Sequence, residues 1–377
     1  MHGRFFQWMD GMRAVLPMLA LALLAGCAPT PMLVRFEGPV AEVQPVFVAT
    51  SRNEEGGVPP GYGGERAREI HYAEYDVSIP ANHKPGDLVL PGANPDPVTD
   101  FLTVGSERYA DEAGFIAAVN KVLAPLPAEE RHITLYIHGY NTGFAFSVLR
   151  AAQVAVDYRL KGPVVVFSWP SAERPTHYVY DRDSMLYSRH QFALTLKALA
   201  KTRATGINVM AHSMGGFLVM EGLSRLALGG DRATLAKVSA VILAEPDIDL
   251  DVFRTQIAGL DLRRLGLVVL VSERDRILQL SSFVAGGLPR LGEPENLETL
   301  RQLGVIVVDL SSFSDGTWGE HNAFQRSPEL LEMIGSGQLE ETLRTGREGE
   351  NLVVGALNAV GSMALAVAYF PYELTQQ

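Results

Sequence analysis

The stretch from Ile207 to Val219 constrains this chain more than any other. Ile207-Asn208-Val209-Met210 is a β-favouring apolar run, and an apolar helical pattern begins at Met214. Between them sits Ala211-His212-Ser213-Met214-Gly215, a serine with small residues two positions to either side. Strand, sharp turn and helix follow without a linker, which is the pattern of a nucleophile elbow written Ala-x-Ser-x-Gly. A serine hydroxyl is a weak nucleophile until an adjacent base activates it. A strained turn, costing on the order of 1–3 kcal/mol, holds it clear of the backbone. Ala211 and Gly215 allow strand and helix to approach closely. The helix start offers the Met214 N–H to an anionic intermediate.

Composition narrows the alternatives. The 377 residues are ample for one large core or two modest ones, and 47% hydrophobic with 20% charged residues is a globular balance. The net charge of −11, with no basic run, argues against nucleic acid as a partner. The phosphate-binding pattern G-x-x-x-x-G-K-[ST], the dinucleotide pattern G-x-G-x-x-G and the zinc pattern H-E-x-x-H are all missing from the sequence. A single cysteine allows neither an intrachain disulfide nor a cysteine-rich metal site. No cofactor and no metal are expected.

Residues 1–26 read as a secretory signal. Arg4 and Arg13 precede an apolar segment from Ala14 to Ala25, too short to span a bilayer comfortably. Leu24-Ala25-Gly26-Cys27 resembles a bacterial lipobox, whose cysteine is lipidated and becomes the mature N-terminus. Met12 offers an alternative start with a compact Met-Arg opening. The expectation is a membrane partner through a lipid anchor at Cys27. By resemblance to sorted lipoproteins, Ala28 in place of Asp after the cysteine implies the outer membrane, facing the periplasm. Residues 27–44 are then a linker, 45–345 the folded domain and 346–377 an apolar tail.

Within the domain, strands are expected at Pro45 to Thr50, Tyr72 to Ile79, Ile133 to Ile137, Val164 to Ser168, Ile207 to Met210, Val238 to Ala244, Leu267 to Ser272 and Val305 to Leu310. Helices are expected at Asp111 to Leu123, Phe144 to Leu160, Ser184 to Thr202 and Met214 to Leu228. Pro80 to Phe101 reads as loop, and the segment from Ala172 to Tyr187 as a loop able to cover a site. Alternating strands and helices imply an α/β protein with a mainly parallel central sheet and helices on both faces.

The strand from Ile133 runs into His138-Gly139-Tyr140-Asn141, where α/β-hydrolases place a second oxyanion donor; that role falls to the Tyr140 N–H. His138 more naturally braces the loop than does chemistry. In such a sheet the catalytic partners follow the nucleophile as serine, acid, histidine. Eight of the nine histidines precede Ser213, including His212, which points the wrong way on its strand and is read as packing or a local hydrogen bond. His321 alone follows, in the loop after the last expected strand, so it is the candidate base. The acid is Asp275, after the strand from Leu267, or alternatively Asp247, after the strand from Val238. Either has a structural reading: Asp275 lies between Arg274 and Arg276, and Asp247 follows Pro246 in a turn.

Tyr136-Ile137-His138-Gly139-Tyr140-Asn141, Arg150-Ala151-Ala152-Gln153, Phe167-Ser168-Trp169-Pro170-Ser171 and Tyr180-Asp181-Arg182-Asp183-Ser184 occur in order with Ala211-His212-Ser213-Met214-Gly215, Glu245-Pro246-Asp247 and Asp275-Arg276. Together they resemble the bacterial alpha/beta hydrolases called domain of unknown function 900, over about residues 45–330. Val77-Ser78-Ile79-Pro80 with Asn82-His83 is similar too. The resemblance implies the α/β-hydrolase fold and an esterase- or lipase-like serine hydrolase. It also implies an aspartate at position 275 and a histidine at 321. Glu273-Arg274 departs from the small polar residues that precede that aspartate in the family pattern.

Two functional expectations follow. One is a lipid-anchored serine hydrolase cleaving small-molecule or lipid carboxylic esters through an acyl-enzyme, with amide or thioester cleavage open to the same triad. The other is a non-enzymatic envelope binding protein on a hydrolase scaffold. The uncharged run from Leu352 to Phe370 is expected to be a helix docked on the body or a membrane contact.

Overall fold

The computed structural model describes residues 32–272, 290–293, 296–310, 350–359 and 362–371. Its strands are β1 (Glu42–Glu55), β2 (Gly61–Ile79), β3 (Leu102–Tyr109), β4 (His132–Ile137), β5 (Val164–Ser168), β6 (Gly206–His212), β7 (Val238–Ala244), β8 (Leu267–Val271), β9 (Ile306–Asp309), β10 (Glu350–Ala359) and β11 (Ser362–Pro371). They form one sheet in the order β11-β10-β9-β8-β7-β6-β4-β5-β1-β2-β3. From β10 to β1 every neighbouring pair is parallel, and β2 and β11 run against their neighbours.

The strands alternate between two cores, as a pleat with period two requires. Ile133, Leu135 and Ile137 of β4, Val165 and Phe167 of β5, and Ile207, Val209 and Ala211 of β6 face one core. Tyr136, Val164, Val166 and Met210 face the other. Parallel strands buried on both faces read as continuous apolar runs, which is why they were legible as strands. The first face is covered by α1 (Glu112–Leu123), α3 (Tyr178–Ala200), α4 (Met214–Leu228) and α6 (Leu250–Ile257). α2 (Phe144–Asp157) packs on the second face through Val148, Leu149 and Val154. The short helices α5 (Arg232–Lys237), α7 (Leu262–Leu265) and α8 (Leu297–Gln302) complete the described α-helices, and a single 3-10 turn spans Ala128–Glu130. None of the described helices is long and apolar enough to cross a membrane.

From β4 the chain passes through α2 to β5 on one side, then crosses through α3 to β6 on the other. The connections reverse direction at β4 and β6. A crevice opens outside the carboxyl ends of strands at such a reversal. Ile137 pairs with Ala211, so His138-Gly139 and His212-Ser213 leave the sheet side by side.

Several elements depart from expectation, and β2 begins at Gly61, eleven residues before the expected Tyr72. The helix expected from Ser184 begins at Tyr178, because its polar opening turns hide the apolar period. Strand β3 is an edge strand carrying Gly105, Glu107 and Arg108, residues that give no strand signal in the sequence. The segment from Leu352 to Phe370 is not a helix: β10 and β11 pair antiparallel from Glu350–Pro371 to Ala359–Ser362, and β10 joins β9 through Val353–Val307. A run apolar on every side carries no period that separates helix from strand. In the expected linker, Phe36 N donates to Thr103 O at 2.9 Å and Thr103 N to Val34 O at 2.9 Å, so this part of the chain lies along β3.

Candidate active site

Ser213 stands at φ 51°, ψ −124°, in the left-handed half of backbone space, between the end of β6 and the first turn of α4. For a residue with a Cβ this is strained, and the surroundings must hold it there. The Ser213 N–H donates to Ala244 O at 2.9 Å, pinning the turn to β7, and the Gly216 N–H donates to Ser213 O at 2.9 Å. Met214 opens α4 and is buried. A Cβ on Gly215 would press into the His138 carbonyl oxygen and lie 3.0 Å from Ile137 O. Only glycine lets α4 approach the end of β4 this closely. Ala211 faces the core, where its methyl group is accommodated.

The loop after β4 lies against this turn. A Cβ on Gly139 would be 3.0 Å from Ser213 Cβ and 2.7 Å from His212 Nδ1. Asn141 adopts φ 53°. Its N–H donates to Asp181 Oδ2 at 3.0 Å; the Ser171 hydroxyl donates to the same oxygen at 2.6 Å, and the Ala172 N–H to Oδ1 at 2.7 Å. The Thr142 N–H donates to Ser171 Oγ at 3.2 Å. Asp181 is wholly buried, in the first turn of α3. The Tyr140 hydroxyl donates to Pro175 O, and its ring meets Tyr178 edge-on at 5.4 Å. Burial, reinforced by Asp181, pushes the Tyr140 phenol up to about 12, so it stays protonated at neutral pH.

Beneath the loop lies Arg52 of β1, with no exposed surface. Its Nη2 donates to Thr142 O at 2.7 Å, its Nη1 to Gly63 O at 3.1 Å and its Nε to Ser168 Oγ at 2.9 Å. Glu173, at φ 56°, brings a carboxylate to 3.5 Å from Nη1. Burial lowers the guanidinium to about 10, against the opposing pull of Glu173, and it remains a cation. His138 stacks on Trp169 at 4.8 Å and 17°, and is buried. Burial first, then the Arg52 charge, push its imidazole down to about 3. It is a neutral brace, as its position suggested.

Asp247 is buried in the turn after β7. It accepts the Tyr178 hydroxyl at 2.7 Å and lies 3.3 Å from Arg290 Nε. Residues 290–292 pair with this turn through Leu291 N to Ile248 O at 2.8 Å and Gly292 N to Pro246 O at 3.1 Å. Beside the serine, His212 Nε2 is 3.5 Å from the buried Glu245 carboxylate, and Glu245 has φ 48°. The structure therefore brings together Ser213, the Met214 helix start, the Gly139-Tyr140 loop and the Asp247 turn. Asp275, His321 and Cys27 lie outside the described residues. No cluster of metal-ligating side chains occurs among the described residues.

Sequence reading missed Arg52, Glu173 and the setting of Glu245. Arg52 follows the apolar run of β1, and its partners His138, Thr142 and Ser168 lie 86 to 116 residues away, beyond the reach of any local pattern. The left-handed backbone of Glu173 and Glu245 has no signature in their residue type.

The sequence model of the family described as alpha/beta hydrolase of unknown function (DUF900) matches residues 116–337. No curated protein matches the chain. Among solved structures, an esterase from Pyrobaculum calidifontis is similar at 12% identity and a TM-score of 0.36, over 81% of this chain and 86% of its own. An arylesterase is similar at 12% identity and a TM-score of 0.35, over 90% and 97%. An esterase from Thermogutta terrifontis is similar at 12% identity and a TM-score of 0.32, over 72% and 87%.

Proposed function

The chain belongs to the DUF900 family of alpha/beta hydrolases, and on that footing we propose that it is a serine hydrolase that cleaves carboxylic esters through an acyl-enzyme on Ser213. The observation that carries the proposal is the strained Ser213 turn, with a helix N-terminus on one side and the Gly139 backbone on the other. In the mechanism, Ser213 Oγ attacks the acyl carbon and its proton passes to His321. The N–H groups of Tyr140 and Met214 hold the oxyanion. Collapse of the intermediate expels the alcohol, which takes the proton from His321. Water, activated by the same imidazole, then frees the carboxylic acid. Asp275 orients the base. Asp247 is the less apt alternative, because its oxygens already face the Tyr178 hydroxyl and Arg290. We place the enzyme at the envelope, lipid-anchored at Cys27, where small or lipidic esters would be its substrates.

The test is labelling with a fluorophosphonate, which requires an activated serine. Wild type is expected to label, and Ser213→Ala and His321→Ala are expected not to. Labelling that survives Ser213→Ala, or a folded wild type that neither labels nor turns over a p-nitrophenyl ester, would overturn the reading.

A further inference from the structure

The peptide between Gly139 and Tyr140 is held from behind. The Gly139 carbonyl oxygen lies 2.9 Å from His138 Nδ1. In a trans peptide the Tyr140 N–H points the opposite way, away from that imidazole. The Gly139 backbone abuts Ser213, and among the described residues the Tyr140 N–H donates to no carbonyl or side chain. Behind the imidazole, Arg52 Nη2 is 3.4 Å from His138 Nε2. A guanidinium can only donate, so a hydrogen bond from Nη2 requires the Nε2 lone pair and puts the ring proton on Nδ1, facing the Gly139 carbonyl. Trp169 O, 3.1 Å from Nε2, favours the opposite tautomer, and Ser168 Oγ, 3.4 Å away, fits either, so the relay requires the Arg52 charge to keep the proton on Nδ1. The ring cannot swing away: it stacks on Trp169, whose indole N–H donates to His138 O at 2.9 Å.

We propose that Arg52 and His138 are positioning residues that aim and polarise the Gly139–Tyr140 peptide, making its N–H a stronger oxyanion donor to an acyl group on Ser213. The inference rests on the serine-hydrolase reading above. A chain of hydrogen bonds that begins at a buried cation polarises each member in turn. Here the chain runs from guanidinium to imidazole to carbonyl, and across the peptide to the N–H. The same guanidinium holds Thr142 O, so one cation fixes both ends of the loop. Arg52 lies outside residues 116–337, so the N-terminal hairpin contributes to a site whose other residues lie within the family's match.

Two measurements test this on the full chain. Nitrogen-15 NMR of the wild-type histidines is expected to show His138 as the neutral Nδ1–H tautomer at pH 7. An Nε2–H tautomer there would overturn the relay without any variant. Kinetics with a p-nitrophenyl ester then compare Arg52→Met, Arg52→Lys, His138→Phe and the Arg52→Met/His138→Phe double variant. Each single removal is expected to lower kcat about 100-fold, the scale of losing one oxyanion donor, with KM nearly unchanged. The double variant is expected to be no worse than either single one, because the two act in series, and Arg52→Lys to recover part of the loss. Variants that keep wild-type kcat, or effects that add and follow the melting temperature, would overturn the relay while leaving the serine chemistry intact. Ester turnover by wild type that is indifferent to Ser213→Ala would remove both readings.

Discussion

Ser213 sits where a side chain is least comfortable, and its neighbours are chosen to keep it there. Gly215 is the narrowest point, because any Cβ would meet the end of β4. Gly215→Ala is therefore expected to cost about 1–3 kcal/mol in urea unfolding, the price of overpacking, and to abolish fluorophosphonate labelling by pushing α4 away from the oxyanion loop. His138 carries a pH signature. Its folded imidazole titrates at about 3 against an ordinary 6.5. A lowered value means that stability is held above the unfolded value and lost as pH falls through the folded one. Urea midpoints of wild type should thus fall between pH 6.5 and 3, and His138→Phe should flatten that fall. Burial raises Glu173 and acts in the opposite sense, so the difference between variant and wild type isolates the histidine. At this scale the sequence was informative where cause and effect are neighbours: Gly139, Ser213 and Gly215 could be placed from local spacing. Arg52 could not, since nothing beside it in the chain reveals what its guanidinium will touch.

Among the elements, α3 does more than cover the sheet. Its first turn carries Asp181, which accepts from Asn141, Ser171 and Ala172, and its Arg66 contacts through Ser184 and Tyr180 tie it to β2. Asp181→Ala would leave these buried donors without their carboxylate. A loss of about 3 kcal/mol is expected in chemical denaturation, together with a fall in labelling rate as the loop loosens. A capping change supplies a control of element stability away from the loop. Asp249 accepts from Asp251 N at 3.0 Å and Val252 N at 3.1 Å at the start of α6. Asp249→Ala should cost about 1 kcal/mol and leave the rate of labelling unchanged. The start of α3 was obscured in the sequence for a physical reason: a helix opening whose buried residues include an aspartate and a serine has no apolar stripe to follow. The terminal strands were obscured for the opposite reason, being apolar over most of their length.

For the whole molecule, the alternation of strand and helix already implied a mainly parallel sheet, and the order of serine and following strands implied where the site would open. What the alternation could not show is that β1 lies inside the sheet, between β5 and β2. Phe47, Ala49, Val46 and Val48 serve both cores from that position. A chain beginning at residue 116 should therefore fail to give a cooperative thermal transition, and should elute as aggregate in size-exclusion chromatography, although it retains the family's matched residues. The placement of β1 also governs time. The hairpin of β1 and β2 closes locally, but Val46 meets Val164 and Thr50 meets Ser168, so the parallel partner is made more than a hundred residues later. Contacts this distant in sequence are slow to form, because loop closure is opposed by chain entropy before any contact compensates it. A growing chain must keep an apolar strand waiting until β5 emerges, and in that interval its open edge can pair with a neighbouring chain. Yield during expression should thus depend on how soon β5 follows β1, and on what shields the early hairpin until then.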